Sequence, residues 1–169
     1  HLVAGYAHPL AGFEEAAPRT LPLKANPHMH LFETFLAWDA VTGATEPSWR
    51  AHADRLAELA LSRLILPDTG ALPEFFDGDW RPLPDARGLQ IEPGHQFEWS
   101  WLLLEWLGAR RDAKAFAAAV RLAEIGETHG ICPDRGVAFG AIDGHLRQRD
   151  AEAKLWPQTE RLKVWHVLA

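Results

Sequence analysis

Two short segments of this chain place an imidazole and a carboxylate three residues apart: His30 with Glu33 in "NPHMHLFE", and His95 with Glu98 in "GHQFEW". On a helix that spacing puts both groups on one face, so each pair can meet one substrate from one side. Histidine gains and loses its charge near neutral pH and is the natural proton carrier there. A carboxylate beside it fixes the ring tautomer and raises its basicity. The pairs lie 65 residues apart, and "KLWPQTERLK" sets Gln158 and Arg161 at the matching positions 63 further on. Arg161 suits an oxygen on which negative charge develops. Trp99, Trp101 and Trp156 offer flat apolar faces for a sugar ring, although Trp99 and Trp101, two apart, cannot both face one axis.

Each of these groups also has a plainer reading. Taken alone, His30 with Glu33 serves equally well as a hydrogen-bonded pair at a helix start; the recurrence at His95 and Glu98 favours chemistry. Arg161 is balanced between a substrate contact and an ion pair with Glu98 or Glu160. His28 is read as a first-turn or supporting residue, and His52, His129, His145 and His166 as surface or core. Cys132 has no neighbour that obviously activates it. Nothing here calls for a cofactor or a metal: HxxE lacks the further ligands of a zinc protease, and neither a phosphate-binding loop nor a dinucleotide fingerprint occurs.

The elements that must position these residues follow from an internal repeat. "LPDTGALPEFFDGDW" (66–80) resembles "CPDRGVAFGAIDGHL" (132–146), pairing Asp68 with Asp134 and Gly70 with Gly136 at a shift of 66. A weaker copy, "HPLAGFEEAAP" (8–18), precedes them. A helical segment follows each copy. Residues 29–41 and 97–107 are apolar on nearly every face, as in helices surrounded by protein. Between them, Trp49, Ala53, Leu56, Ala60 and Leu64, and then Phe116, Ala119, Val120 and Ala123, form single apolar stripes with charged residues opposite. Buried and amphipathic helices therefore alternate, which predicts inner and outer helices joined as successive hairpins, an αα-toroid. Asn26-Pro27 suits an N-cap and first helical position, and Gly43 and Gly108 suit helix exits. The segments 70–80 and 136–146 carry Asp-Gly turns and are expected to be small β-hairpins. Residues 1–169 are read as a single all-α domain or part of one.

The 169 residues suffice for one domain with a real core. A net charge of −6 without a basic run excludes a nucleic-acid binder, and no apolar stretch reaches the length of a membrane span. A single cysteine forms no internal disulfide, so a cytoplasmic setting is expected. The chain begins at His1 and is expected to be a processed or truncated piece.

"NPHMHLFETFLA", "EPGHQFEWSWLLLEW" and "KLWPQTERLK" together resemble the signature segments of the N-acylglucosamine 2-epimerase superfamily, in its mannose isomerase-like and mannose-6-phosphate isomerase-like branch. The resemblance runs from about Gly12 to Lys163. It implies an (α/α)6-barrel that interconverts aldoses and ketoses, or epimerises them at C2, through a cis-enediol and without a metal. It implies His30 as general acid/base, with Glu33 one turn on, His95 and Glu98 in the pocket, and Arg161 as the arginine of "WPQTER". Lys24-Ala25 stand where the branch has Arg-Gln, so Lys24 is expected to hold substrate without a planar fork. Members have about twice as many residues; this chain supplies about two and a half of six hairpins and lacks the helix bearing the second catalytic histidine. The expected partner is a small sugar, with a homo-oligomer possible through the open edge. The alternatives are a non-catalytic helical-repeat module that binds a glycan or protein, and a glycoside hydrolase using Glu33 and Glu98.

Overall fold

The computed structural model describes residues 5–169. Five α-helices dominate: α1 (Ala25–Thr42), α2 (Ser48–Leu59), α3 (Pro93–Leu107), α4 (Ala113–Gly130) and α5 (Trp156–Leu168). Two small antiparallel ladders lie between them: β1 (Leu23–Lys24) with β2 (Phe75–Phe76), and β3 (Ala141–Ile142) with β4 (Gln148–Asp150). α1 packs on α2 and α3 on α4, while α3 also contacts α1 and α5. The inner layer is therefore α1, α3 and α5, and the outer layer α2 and α4, as the alternation of apolar and amphipathic segments predicts.

α3 is the centre of this arrangement. Nearly its whole circumference is buried, and small residues let its neighbours approach closely. A Cβ on Gly126 of α4 would meet the Phe97 ring at 2.7 Å, and one on Gly94 would meet the Trp156 ring of α5 at 2.5 Å. The Ser100 hydroxyl donates to the Ala119 carbonyl of α4 at 2.7 Å. The core follows from the same face: Phe32, Phe97, Trp99, Leu102, Leu103, Leu59 and Leu122 are fully or almost fully removed from solvent.

The repeat is a repeat of structure. Leu66 N–H bonds Ala71 O and Gly70 N–H bonds Leu66 O; Cys132 and Val137, Gly136 and Cys132 do the same 66 residues later, all at 2.8 Å. Both glycines take positive φ, 79° and 67°. The turns that follow match as well. Asp77 and Asp143 each donate a backbone N–H to the carbonyl of Arg81 or Arg147, and Trp80 and Leu146 both sit at φ near 60°.

Three expectations need correction. Asn26 is not the helix cap: α1 starts at Ala25 with Lys24 extended before it, and the Asn26 side chain points elsewhere. The stripe from Trp49 to Leu64 is not one α-helix, because residues Ala60–Leu64 widen into a π-turn. Residues 29–41 are not enclosed on all sides either. Trp38 and Val41 are exposed, as are Leu162 and Trp165 on α5, because each of these inner helices has a helical neighbour on one flank only among the described residues.

Candidate active site

The first turns of α1, α3 and α5 meet around a cleft of about 560 Å³. α1 contributes Asn26, His30 and Glu33, spaced at four and three residues. Around α3 come Glu92, His95 and Glu98, spaced at three and three. α5 supplies Trp156, Glu160 and Lys163, again at four and three. These are the spacings of one helix face, and each helix turns that face inward.

The two histidines sit in contrasting surroundings. His30 is exposed, with a side chain 58% accessible, and its Nδ1 lies 3.8 Å from Glu98 Oε1 across the gap between α1 and α3. His95 is buried. Its Nδ1 lies 2.9 Å from Glu74 Oε1 and 3.8 Å from Glu92 Oε2, and its Nε2 lies 3.2 Å from Asn26 Nδ2. The contact with Glu74 has the distance of an ion pair but an angle outside that of a formed hydrogen bond, and neither atom has another partner. The ring of Trp156 covers His95 at 4.9 Å between centroids.

Burial alone would lower the His95 ring. The charge of Glu74 and its direct contact outweigh that, with Glu92 and Glu98 adding to them, and the ring is pushed up to about 9. Glu98 moves in the same direction for a different reason. Burial and then the neighbouring Glu160 push its carboxyl up to about 7, against the pull of His95 and Lys163. Burial, followed by Glu74, also raises Glu92. The cleft thus holds a charged imidazole and a carboxyl that exchanges its proton near neutral pH, the two requirements of acid–base transfer. The triads His30–Glu33–Glu98 and Glu74–Glu92–His95 each bring ligand atoms within 4.8 Å of one another. In both, shared protons and ion pairs account for that closeness, and neither is assigned a metal.

Four expected site residues lie elsewhere. Trp99 is fully buried against Phe32, with ring centroids 5.9 Å apart, and belongs to the core. Lys24 extends to Glu15 at 3.3 Å. Arg161 is held by Glu127 of α4 and donates to Gly136 O at 2.9 Å. The Gln158 amide clamps Ala138, accepting from its N–H and donating to its carbonyl, both at 2.9 Å. Gln96 clamps Leu72 in the same way, at 2.9 and 2.8 Å. Gln158 is therefore the counterpart of Gln96, not of His95. The third copy shifts by 62 residues rather than 63, and Glu160 becomes the counterpart of Glu98.

That one-residue slip hid Glu160, which faces the cleft, and Lys163, which pairs with Glu160 at 2.5 Å and lies 3.9 Å over the Trp101 ring. The signal was present in "GHQFE" and "WPQTE", whose glutamines align when the carboxylates do. Glu74 carried no such signal, because it reaches the site from a loop.

Comparison with known proteins places the chain. Residues 3–169 match the sequence profile of N-acylglucosamine 2-epimerase (GlcNAc 2-epimerase). The chain belongs to the N-acylglucosamine 2-epimerase family. Within reach of this family member is the mannose-6-phosphate isomerase of Rhizobium meliloti (strain 1021), 52% identical over 163 residues that cover 96% of this chain and 42% of the relative. A D-mannose isomerase of Thermobifida fusca is 31% identical over 126 residues, 63% of this chain and 30% of that protein. Among solved structures, D-mannose isomerase superposes with a TM-score of 0.79 at 20% identity, over 89% of this chain and 38% of its own. Cellobiose 2-epimerase from Bacillus thermoamylovorans B4167 superposes at 0.74 and 21% identity, over 86% and 36%. The fold is that of the epimerase αα-toroid, of which the described residues form an unclosed part. This epimerase-family chain spans well under half the length of these relatives.

Proposed function

We propose that this chain forms part of the active centre of an enzyme that isomerises aldoses and ketoses or epimerises them at C2, with mannose- or fructose-type sugars as substrates. The observation that carries this reading is the convergence of His30, His95, Glu98 and Glu160 on one cleft in a chain of the N-acylglucosamine 2-epimerase family. The printed names of the relatives, mannose-6-phosphate isomerase and D-mannose isomerase, support the substrate class.

In an opened aldose, His30 takes the proton from C2. The bonding pair becomes the C1–C2 double bond, and the carbonyl oxygen receives a proton from His95, giving the cis-enediol. Glu98 then takes the proton from the oxygen on C2, the C2 carbonyl forms, and His30 returns its proton to C1. Return to the other face of C2, with the C1 carbonyl restored, gives the epimer instead. Glu98 ends with the proton that His95 gave up, and transfer between these neighbours resets the site. Trp156 offers an apolar face to the sugar. Glu33 supports the exposed ring of His30.

The test is to incubate the chain with mannose, fructose, glucose and mannose 6-phosphate and follow the sugars by NMR. Interconversion of mannose with fructose or glucose is expected. Sugar binding without interconversion would favour the non-catalytic module. A cytoplasmic setting, resting on the lone Cys132, belongs to the same proposal. So does self-association through the exposed apolar residues of α1 and α5, which sedimentation velocity tests and a monomer would refute.

A further inference from the structure

Glu74 is a buried acid that the mechanism above leaves without a role. It lies in the loop between the Gly70 turn and β2, is only 4% exposed, and its Oε1 has no hydrogen-bond partner beyond the 2.9 Å approach to His95 Nδ1. The backbone fixes it firmly: its N–H bonds Gln90 O at 3.0 Å, and its own carbonyl accepts from Ala25 N–H at 3.0 Å, tying the loop to the start of α1. A buried carboxylate so held is expensive unless a cation meets it, and the only titratable ring in reach is His95.

We propose that Glu74 is the positioning residue of His95: it occupies Nδ1 from behind, leaves Nε2 as the ring atom that meets the cleft, and keeps the ring as an imidazolium that donates to the sugar oxygen. This rests on reading the cleft as a proton-transfer site. Several features agree with it. Trp156 stacks on one face of the ring and prevents it from turning over. Glu92, on the approach to α3, and Glu98, one turn along it, add negative charge. Lys163 of α5 is engaged with Glu160 and does not compete for Glu74. With both ring nitrogens protonated, Asn26 presents its carbonyl oxygen to Nε2, since the two ends of an amide exchange places to suit the network. Substrate oxygen then displaces Asn26 as acceptor.

The test is a pH titration of the chain labelled with 15N-histidine, which needs no turnover and so separates this inference from the proposed activity. In the parent chain both His95 nitrogens are expected to carry protons beyond pH 8, with the midpoint at about 9. In Glu74→Gln the midpoint is expected to fall toward the ordinary value of about 6.5, roughly a hundredfold or greater loss of proton affinity, with Glu74→Asp restoring part of it. A parent midpoint near the ordinary value, or one that Glu74→Gln leaves unmoved in a folded chain, would overturn the proposal. The parent titration decides even if the variant fails to fold.

Discussion

His30 Nδ1 stands 3.8 Å from Glu98 Oε1, an exposed ring on α1 facing a buried carboxyl on α3. The separation is too long for a hydrogen bond between them and leaves the space where a sugar carbon and its oxygens fit. The two groups thus approach the same atoms from different helices, which is what a stepwise transfer of protons between adjacent carbons requires.

Replacing Glu98 with Gln removes the carboxyl that titrates at about 7. Isomerisation is expected to fall about 10²–10⁴-fold, the usual contribution of one positioned acid or base. The inflection near pH 7 in the parent profile should vanish from what activity persists. An unchanged profile in the variant would assign that inflection to another group.

The same groups make stability depend on pH with a definite sign. Glu98 and His95 both hold protons more tightly folded than unfolded. Their contribution is therefore complete below the unfolded values, about 4.5 for Glu98 and 6.5 for His95, and is lost as pH rises through about 7 and about 9. Melting temperature should decline between pH 5 and 9, by at most about 3 kcal/mol from Glu98. Glu98→Gln should flatten the portion between pH 5 and 7. A melting temperature that climbs across this range would contradict the assignment.

Gln96 is wholly buried, and both ends of its amide satisfy the Leu72 backbone. Gln96→Leu keeps the volume but strands a buried N–H and C=O, a cost of about 2–4 kcal/mol. Gln158→Leu makes the same cut at Ala138, where water has more access, and should cost less. Denaturant unfolding of both variants checks the order.

Gly94→Ala would drive a methyl group into the Trp156 ring at 2.5 Å. The ring must move away from His95, so a loss of about 1–3 kcal/mol is expected together with a change in tryptophan emission. A variant with parental stability and emission would show that α5 is more loosely seated than it is drawn here.

Much of this was legible in the residues themselves. The alternation of enclosed and amphipathic helices gave the layers, and the recurrence of His30–Glu33 at His95–Glu98 led to the cleft, because side chains of an inner helix have few places to point. What failed did so for physical reasons. Trp99 sits next to the site in sequence, but one residue is 100° around a helix, enough to carry it into the core. Gln158 and Arg161 were placed by counting from His95, and a helix cannot absorb a one-residue error without presenting a different face. Lys24 and Arg161 were read as substrate ligands, yet each has a carboxylate closer at hand, in Glu15 and Glu127. Glu74 was beyond reach from sequence because a loop contact 21 residues from His95 leaves no periodic trace.

The most direct test of the account is deuterium incorporation from D2O into mannose and fructose, run on the chain beside His30→Gln. The account predicts label at the carbon next to the carbonyl with the parent chain and at least a hundredfold less with the variant. Equal labelling by both would contradict it, since His30 would then not be the group that carries the proton.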